Sequence, residues 1–383
     1  MKLTVVLGVC LAAFGCSQTS SSNPPAVDGG ARDAAVAADA ATAPGPVYAF
    51  TGSSDGQIRA FLVDVAAGTL TPRGATAAGA NPSFLAVDTK NARVFAVDES
   101  GSEVLAFGFD PQTAGFTARG KTATLGAGPA HVSVSPGGGA VLVANYGGDS
   151  VAVFPVVGDG SLGAASDSKA TGDKAHQILT SDSGAYVFVP CLGANYIAQY
   201  SFAGGKLTAN SPATVSPPAG AGPRHLAFHP SQKWAFGINE LASSMTSYAY
   251  DATAGKLTAQ ATVSTLPTGN TTANTCAEVA VHPGGGYVYG SNRGLDTIAI
   301  FALDQATGVL TLSGNEPTRG QVPRSFGLDD SGKLLVVANQ RTAATPNAGN
   351  LAVFRIDAGG KLTAVGNPIV GVGSPAFVGL FRF

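Results

Sequence analysis

The sequence predicts an all-β fold, a seven-bladed β-propeller whose ring is closed by the C-terminal strand pairing into the N-terminal blade. First, short apolar stretches ending in an aromatic recur seven times. They are Ile58 to Phe61, Val104 to Phe107, Val151 to Phe154, Ile197 to Tyr200, Met245 to Tyr248, Ile298 to Phe301 and Leu351 to Phe354. Their period of 46 to 53 residues suits one propeller blade. Second, about 11 residues upstream of each lies another β-rich run, such as Val47-Tyr48-Ala49-Phe50 or Val141-Leu142-Val143-Ala144, bounded by Gly, Asp and Ser turns. Third, the first repeat lacks an opening strand, and Ala376-Phe377 near the C-terminus supplies one.

Within a unit, the opening strands begin at Ser83-Phe84, His131, His176, His225, Glu278, Ser325 and Ala376-Phe377. Fourth, outermost strands follow the aromatic run, as in Leu70 to Thr76, Phe116 to Lys121, Leu207 to Ala209 and Leu362 to Ala364. If the Phe377 to Phe381 run pairs into the first unit, it removes the exposed edge that an open array would leave.

Before the repeats, Lys2 precedes an apolar run from Leu3 to Phe14. As a helix it would span about 18 Å, short of a hydrocarbon core of roughly 30 Å, so it reads as a signal-peptide core. Ala13-Phe14-Gly15-Cys16 resembles a lipobox, with Cys16 as the lipidated residue. Ordinary cleavage without a lipid is the alternative. Ser17 after Cys16 resembles the default sorting signal for an outer-membrane lipoprotein facing the periplasm or the cell surface. The expected organisation is residues 1–16 as the export signal, residues 17–46 as an Ala/Ser/Gly/Pro-rich tether, and residues 47–383 as the propeller. The tether has too few large apolar groups to offset its ordering entropy.

Composition narrows the partners. Only 12% of residues are charged, against roughly 25% in ordinary globular domains, and the formal net charge is -2. No broad basic surface exists for a nucleic-acid backbone. Of four cysteines, Cys191 and Cys276 fall in the propeller, too few and too distant for a disulfide framework. A monomer touching the membrane only through its N-terminal lipid is expected, without cofactor or metal. A cation remains open if Glu240 and Glu278 converge.

In an antiparallel blade, the start of strand one and the end of strand two reach the same face. Aligned there, the repeats give Ala130-His131, Ala175-His176, Arg224-His225, Ala277-Glu278 and Arg324-Ser325. The ends of strand two give Asp98-Glu99, Asn145-Tyr146, Cys191, Asn239-Glu240, Asn292-Arg293 and Asn339-Gln340. A chain poor in charge thus gathers three of its five histidines at one mouth with Arg224, Glu240, Arg293 and Arg324. His229 and His282 precede Pro in turns on the opposite face. The bland alternative is an ion-pair network that buckles neighbouring blades together.

These residues resemble the lactonase family of seven-bladed propellers, which includes 6-phosphogluconolactonases and carboxy-muconate cyclases. Gly128-Pro129-Ala130-His131, Gly222-Pro223-Arg224-His225 with Asn239-Glu240-Leu241, Ser291-Asn292-Arg293-Gly294 and Pro323-Arg324-Ser325-Phe326 carry the resemblance. It implies His176, Arg224, Glu240 and Arg293 as the active residues. Two departures stand at Lys174, where the family often has His, and at Cys191, where an acidic residue is usual.

The implied activity is hydrolysis of a small anionic lactone. Glu240 would act as general base, His176 as acid or relay, with these roles exchangeable, and the two arginines would bind anion and oxyanion. His131, Tyr146, His225, Asn292 and Arg324 would shape the substrate pocket. The competing readings are a muconate-type lactonising cycloisomerase and a non-catalytic envelope propeller that holds a ligand or a protein partner.

Overall fold

The computed structural model describes residues 45–383, so the export signal, Cys16 and almost all of the tether lie outside the described residues. The described chain forms seven four-stranded antiparallel sheets and no helix. Six blades run in sequence order. Their opening strands are Pro82–Asp88, Pro129–Val134, Leu179–Thr180, Pro223–Phe228, Cys276–Val281 and Gln321–Leu328. The seventh is split: Pro375–Arg382 is the inner strand of the sheet completed by Val47–Ser53, Gln57–Asp64 and Thr69–Ala77.

Ring closure follows the sequence expectation. Tyr48 lies opposite Phe381 and Phe50 opposite Gly379 in an antiparallel ladder. An aromatic cluster secures it: Phe50 packs edge-on against Phe109 at 4.8 Å and lies 5.8 Å from Phe381. The closing strand touches the inner strands of both neighbouring blades, so no open edge remains between the first and last repeats.

Burial falls from the inside outward. Second strands such as Val47–Ser53 and Ala140–Asn145 are buried at every position, because both faces of the blade meet a neighbouring sheet there. Outermost strands such as Gly115–Ala123 are mostly exposed. Adjacent blades share apolar layers. In one of these, Phe188 and Ile197 of one blade pack with Leu226, Ala235, Tyr248 and Tyr250 of the next.

The opening strand that carries His176 is the short one. The Pro190 carbonyl faces it and accepts from His176 N at 2.9 Å, but proline has no N–H to return to the ladder. Regular pairing therefore starts only at Leu179 opposite Phe188, with one isolated bridge between Ala175 and Cys191.

On the far face, His229 and His282 tie turns of successive blades together. His229 Nε2 lies 3.1 Å from the Gly285 carbonyl, and His282 Nε2 lies 3.0 Å from that of Gly332. Cys191 and Cys276 are buried free thiols.

Candidate active site

Two local devices repeated around the ring aim side chains at one mouth. The first is a β-bulge at the start of the opening strand. Pro82, Pro129, Pro223 and Pro323 pair with Asp98, Asn145, Asn239 and Asn339, and the register then slips by one residue. The extra residue of each bulge is Ser83, Ala130, Arg224 or Arg324. A bulge re-aims the side chain it carries, and all four line the axial channel.

The Ala175–Cys191 bridge puts His176 in this same row. Simple alignment of the repeats grouped His176 with His131 and His225, and that grouping is corrected here. The pairing slips by one residue in this blade as in the others, and Lys174 and Ala175 stand where Gly222 and Pro223 do, so His176 is level with Arg224 and Arg324. The row beneath holds Phe84, His131, Gln177, His225, Glu278 and Ser325.

The second device is a pin at the end of strand two. Asn145, Asn239, Asn292 and Asn339 are fully buried, and their side-chain N–H groups donate to neighbouring loops and strands. Asn145 Nδ2 donates to Thr124 O at 3.0 Å, and Asn339 Nδ2 donates to Thr318 O at 2.9 Å. Asp98 does the same work as an acceptor, taking Ala80 N and Asn81 N at 3.0 and 2.9 Å. These bonds hold its carboxyl below the usual range even though burial opposes them.

The residue after each pin is presented to the mouth. Its N–H is fixed to the loop before strand one: Glu99 to Asn81, Tyr146 to Gly128, Glu240 to Gly222 and Arg293 to Thr275, at 2.8 to 3.0 Å. Gly222 has φ +67, and a Cβ there would meet the Leu241 side chain at 2.7 Å, so glycine is the least strained residue for this anchor of Glu240. Lys174 occupies the corresponding left-handed position at φ 60. Its Nζ sits 5.7 Å from the Tyr146 ring centroid.

The two devices meet in a cavity of about 150 Å³ lined by Glu99, Ala130, Tyr146, His176, Glu240, Arg293 and Arg324. Glu240 is its charge centre. Its Oε2 lies 2.9 Å from Arg293 Nη2 and 3.0 Å from Arg224 Nε. The Arg224 N–H is off-line for a hydrogen bond, so that contact is chiefly charge to charge. The guanidiniums are fixed by backbone: Arg224 Nη1 donates to Ala277 O at 2.7 Å, and Arg293 Nη2 to Cys276 O at 2.9 Å. Arg324 Nη2 stands 3.5 Å from Glu99 Oε2 on the opposite wall.

Burial governs the titration of the groups around it. Desolvation, then the charges of Arg224, His225, Arg324 and Arg293, hold His176 well below the usual imidazole range, so it is neutral at working pH. Its Nδ1 is buried and without a partner among the described residues. Arg224 is pulled down to about 9 by burial and by Arg293 and Arg324, and so keeps its charge at neutral pH. Beneath it, His225 Nδ1 meets Glu278 Oε1 at 2.7 Å. Burial pushes the Glu278 carboxyl up to about 7 and His225 down, so this pair carries less charge than an exposed one would.

The structure thus brings together His176, Arg224, Glu240, Arg293, Tyr146 and Arg324. It does not put three of the expected pocket residues at the cavity wall. Asn292 is a pin, fully buried and bonded to Thr265, Thr297, Asn274 and Asn315. His131 lies in the lower row, its ring centroid 4.1 Å from that of Phe84, and its Nδ1 faces Ile178 N at 3.5 Å. His225 is committed to Glu278 in the tight floor below the cavity. Glu240 and Glu278 do not form a joint cation site, since each is paired with its own cationic or histidine partner. Glu99 is a cavity residue that was not among the expected pocket residues. Its signal was its place after Asp98, the same place Glu240 holds after Asn239.

Comparison with known proteins agrees with this fold. Residues 47–380 match the family model described as lactonase, 7-bladed beta-propeller. A 6-phosphogluconolactonase of Bacillus subtilis is 32% identical over 319 residues, covering 80% of this chain and 88% of that protein. One from Pectobacterium carotovorum is 32% identical over 255 residues, covering 66% of this chain and 74% of its own length. The solved structure of the periplasmic gluconolactonase of Pseudomonas aeruginosa superposes with a TM-score of 0.79 at 28% identity, covering 87% of this chain and 99% of that one. Fold and sequence matches together establish that the chain belongs to the seven-bladed β-propeller lactonase family.

Proposed function

We propose that the protein hydrolyses a small sugar-derived lactone in this cavity, by chemistry of the 6-phosphogluconolactonase type, and that it does so outside the cytoplasm. The observation that carries the reading is the Glu240 carboxylate, held by guanidiniums from two blades and facing the same cavity as His176.

Lactone opening needs a water proton removed, a tetrahedral oxyanion stabilised and the ring oxygen protonated as the C–O bond breaks. In our assignment, Glu240 accepts the proton of the attacking water and returns it to the ring oxygen. Both steps then run on one carboxyl group and the proton count closes. Arg224 and Arg293, fixed planar donors, stabilise the oxyanion. Four cationic or histidine neighbours disfavour an imidazolium at His176, so it serves as a neutral N–H donor that polarises the carbonyl or orients the water. Tyr146 and Arg324 complete the walls.

The test is turnover. The full chain should open δ-gluconolactone or its 6-phosphate faster than buffer, and Glu240→Gln should lower kcat at least about 100-fold, the usual scale for losing such a group. Equal rates for both proteins would favour the non-catalytic reading, in which the mouth holds a ligand or partner. For location, the sequence features at residues 1–16 and the periplasmic relative support export with a lipid on Cys16. Metabolic labelling with a fatty acid, lost on Cys16→Ala, checks that step.

A further inference from the structure

Glu99 is the second carboxylate, besides Glu240, in the wall of a cavity that Arg293 and Arg324 also line. Its backbone N–H is held by Asn81 O at 3.0 Å, and the preceding Asp98 is pinned by two N–H groups, so the chain under it is rigid. Its side chain is 31% exposed and reaches Arg324 across the mouth. The formal charges at the site are three guanidiniums, Arg224, Arg293 and Arg324, against two carboxylates, Glu99 and Glu240. That leaves a single net positive charge, with Lys174 outside at the rim over Tyr146.

Each carboxylate is engaged with arginine. A phosphate ester, with close to two negative charges at neutral pH, would have to displace Glu99 from Arg324 and then sit beside it in a cavity of about 150 Å³. An uncharged polyhydroxylated ring meets no such repulsion. Its hydroxyls can donate to the Glu99 carboxylate, and a charged acceptor makes the stronger kind of hydrogen bond.

We infer that Glu99 is a specificity-determining residue that directs the site toward unphosphorylated, hydroxyl-rich lactones and against their phosphate esters. This rests on the lactonase reading above, and the test separates the two. The full chain and its Glu99→Gln variant are compared on δ-gluconolactone and 6-phosphogluconolactone. In parallel, gluconate and 6-phosphogluconate binding to both proteins is measured by titration calorimetry.

The wild type should prefer the plain lactone. Glu99→Gln should raise the ratio of kcat/KM for phosphorylated over plain substrate at least tenfold. It should also tighten 6-phosphogluconate binding at least fivefold, a gain that Arg324→Gln in the same background removes. A wild-type preference for the phosphate ester, or equal changes on both substrates, would overturn the inference. If neither lactone is turned over by the wild type, the lactonase reading fails. Calorimetry then decides Glu99 alone: tighter phosphate-ester binding in the variant supports its role, and unchanged binding refutes it.

Discussion

Arg224 is the largest side chain wholly inside the structure, and replacing it with methionine separates a site residue from a structural buckle. The residue is 2% exposed. Burial and the charges of Arg293 and Arg324 pull its proton affinity down to about 9, so carrying this charge has a net cost in the folded state. Against this stand the 2.7 Å hydrogen bond to Ala277 O and the attraction of Glu240, which is partly exposed and retains Arg293 as a partner.

Losing the hydrogen bond costs about 1–3 kcal/mol if Ala277 O is left unsatisfied. Relief of the desolvation is of similar size. Methionine fills much of the same volume, so the two effects nearly cancel. Arg224→Met should therefore melt within about 4 °C of wild type, on the scale of 2–4 °C per kcal/mol for domains somewhat smaller than this one. Turnover of lactone should nonetheless fall by about 100-fold or more, as expected for an oxyanion donor. Thermal melts by circular dichroism and steady-state turnover by pH-stat measure the two quantities on one preparation. Activity within threefold of wild type would refute the assignment. A melting point lowered by 10 °C or more would instead identify Arg224 as a clamp between blades.

Three further outcomes follow from the same contacts. The Glu278 carboxyl is raised to about 7 by burial, so its contribution to stability is full below its unfolded value and lost as pH rises through about 7. The melting point of Glu278→Gln relative to wild type should therefore climb between pH 5 and pH 8, and a flat difference would contradict the raised, proton-holding carboxyl. Asn292→Ala should lose roughly 2–4 kcal/mol in denaturant titrations, because several buried partners are left unsatisfied. Its effect on turnover should appear in kcat through the displaced Arg293, whereas a change in KM alone would restore Asn292 as a substrate contact. Deleting residues 375–383 should uncover the edge of Val47–Ser53 and give concentration-dependent aggregation on light scattering; a monodisperse truncated protein would contradict closure by that strand.

The architecture was legible in the sequence because a propeller repeats. The aromatic-ended run fixes the third strand of each blade, and the missing opening strand of the first repeat is found again at Phe377. The Glu240–Arg293 contact was legible for a related reason: each follows a buried Asn at the end of strand two, so each is delivered to the same rim. What the repeats hid was a one-residue offset in one blade. Lys174 and Ala175 stand where Gly128-Pro129 and Gly222-Pro223 stand elsewhere, so the Ala-His shared by Ala175-His176 and Ala130-His131 pointed to the wrong level. The pinning role of Asn292 was likewise hidden, because its partners Thr265, Asn274 and Asn315 lie in loops with no repeating pattern. Charge scarcity pointed to the mouth but could not separate its wall, where Glu99 and Arg324 stand, from its floor, where His225 and Glu278 pair.

His176 and Glu240 come from different blades and make no direct hydrogen bond, yet both face one cavity and are assigned to one reaction. A double-mutant cycle in kcat/KM on the preferred lactone, using His176→Ala, Glu240→Gln and the combined variant, tests this most directly. Groups acting in one step should give a double variant hardly slower than the worse single one, a coupling of at least about tenfold. Losses that simply multiply would show two independent residues and contradict the shared cavity as the seat of the chemistry.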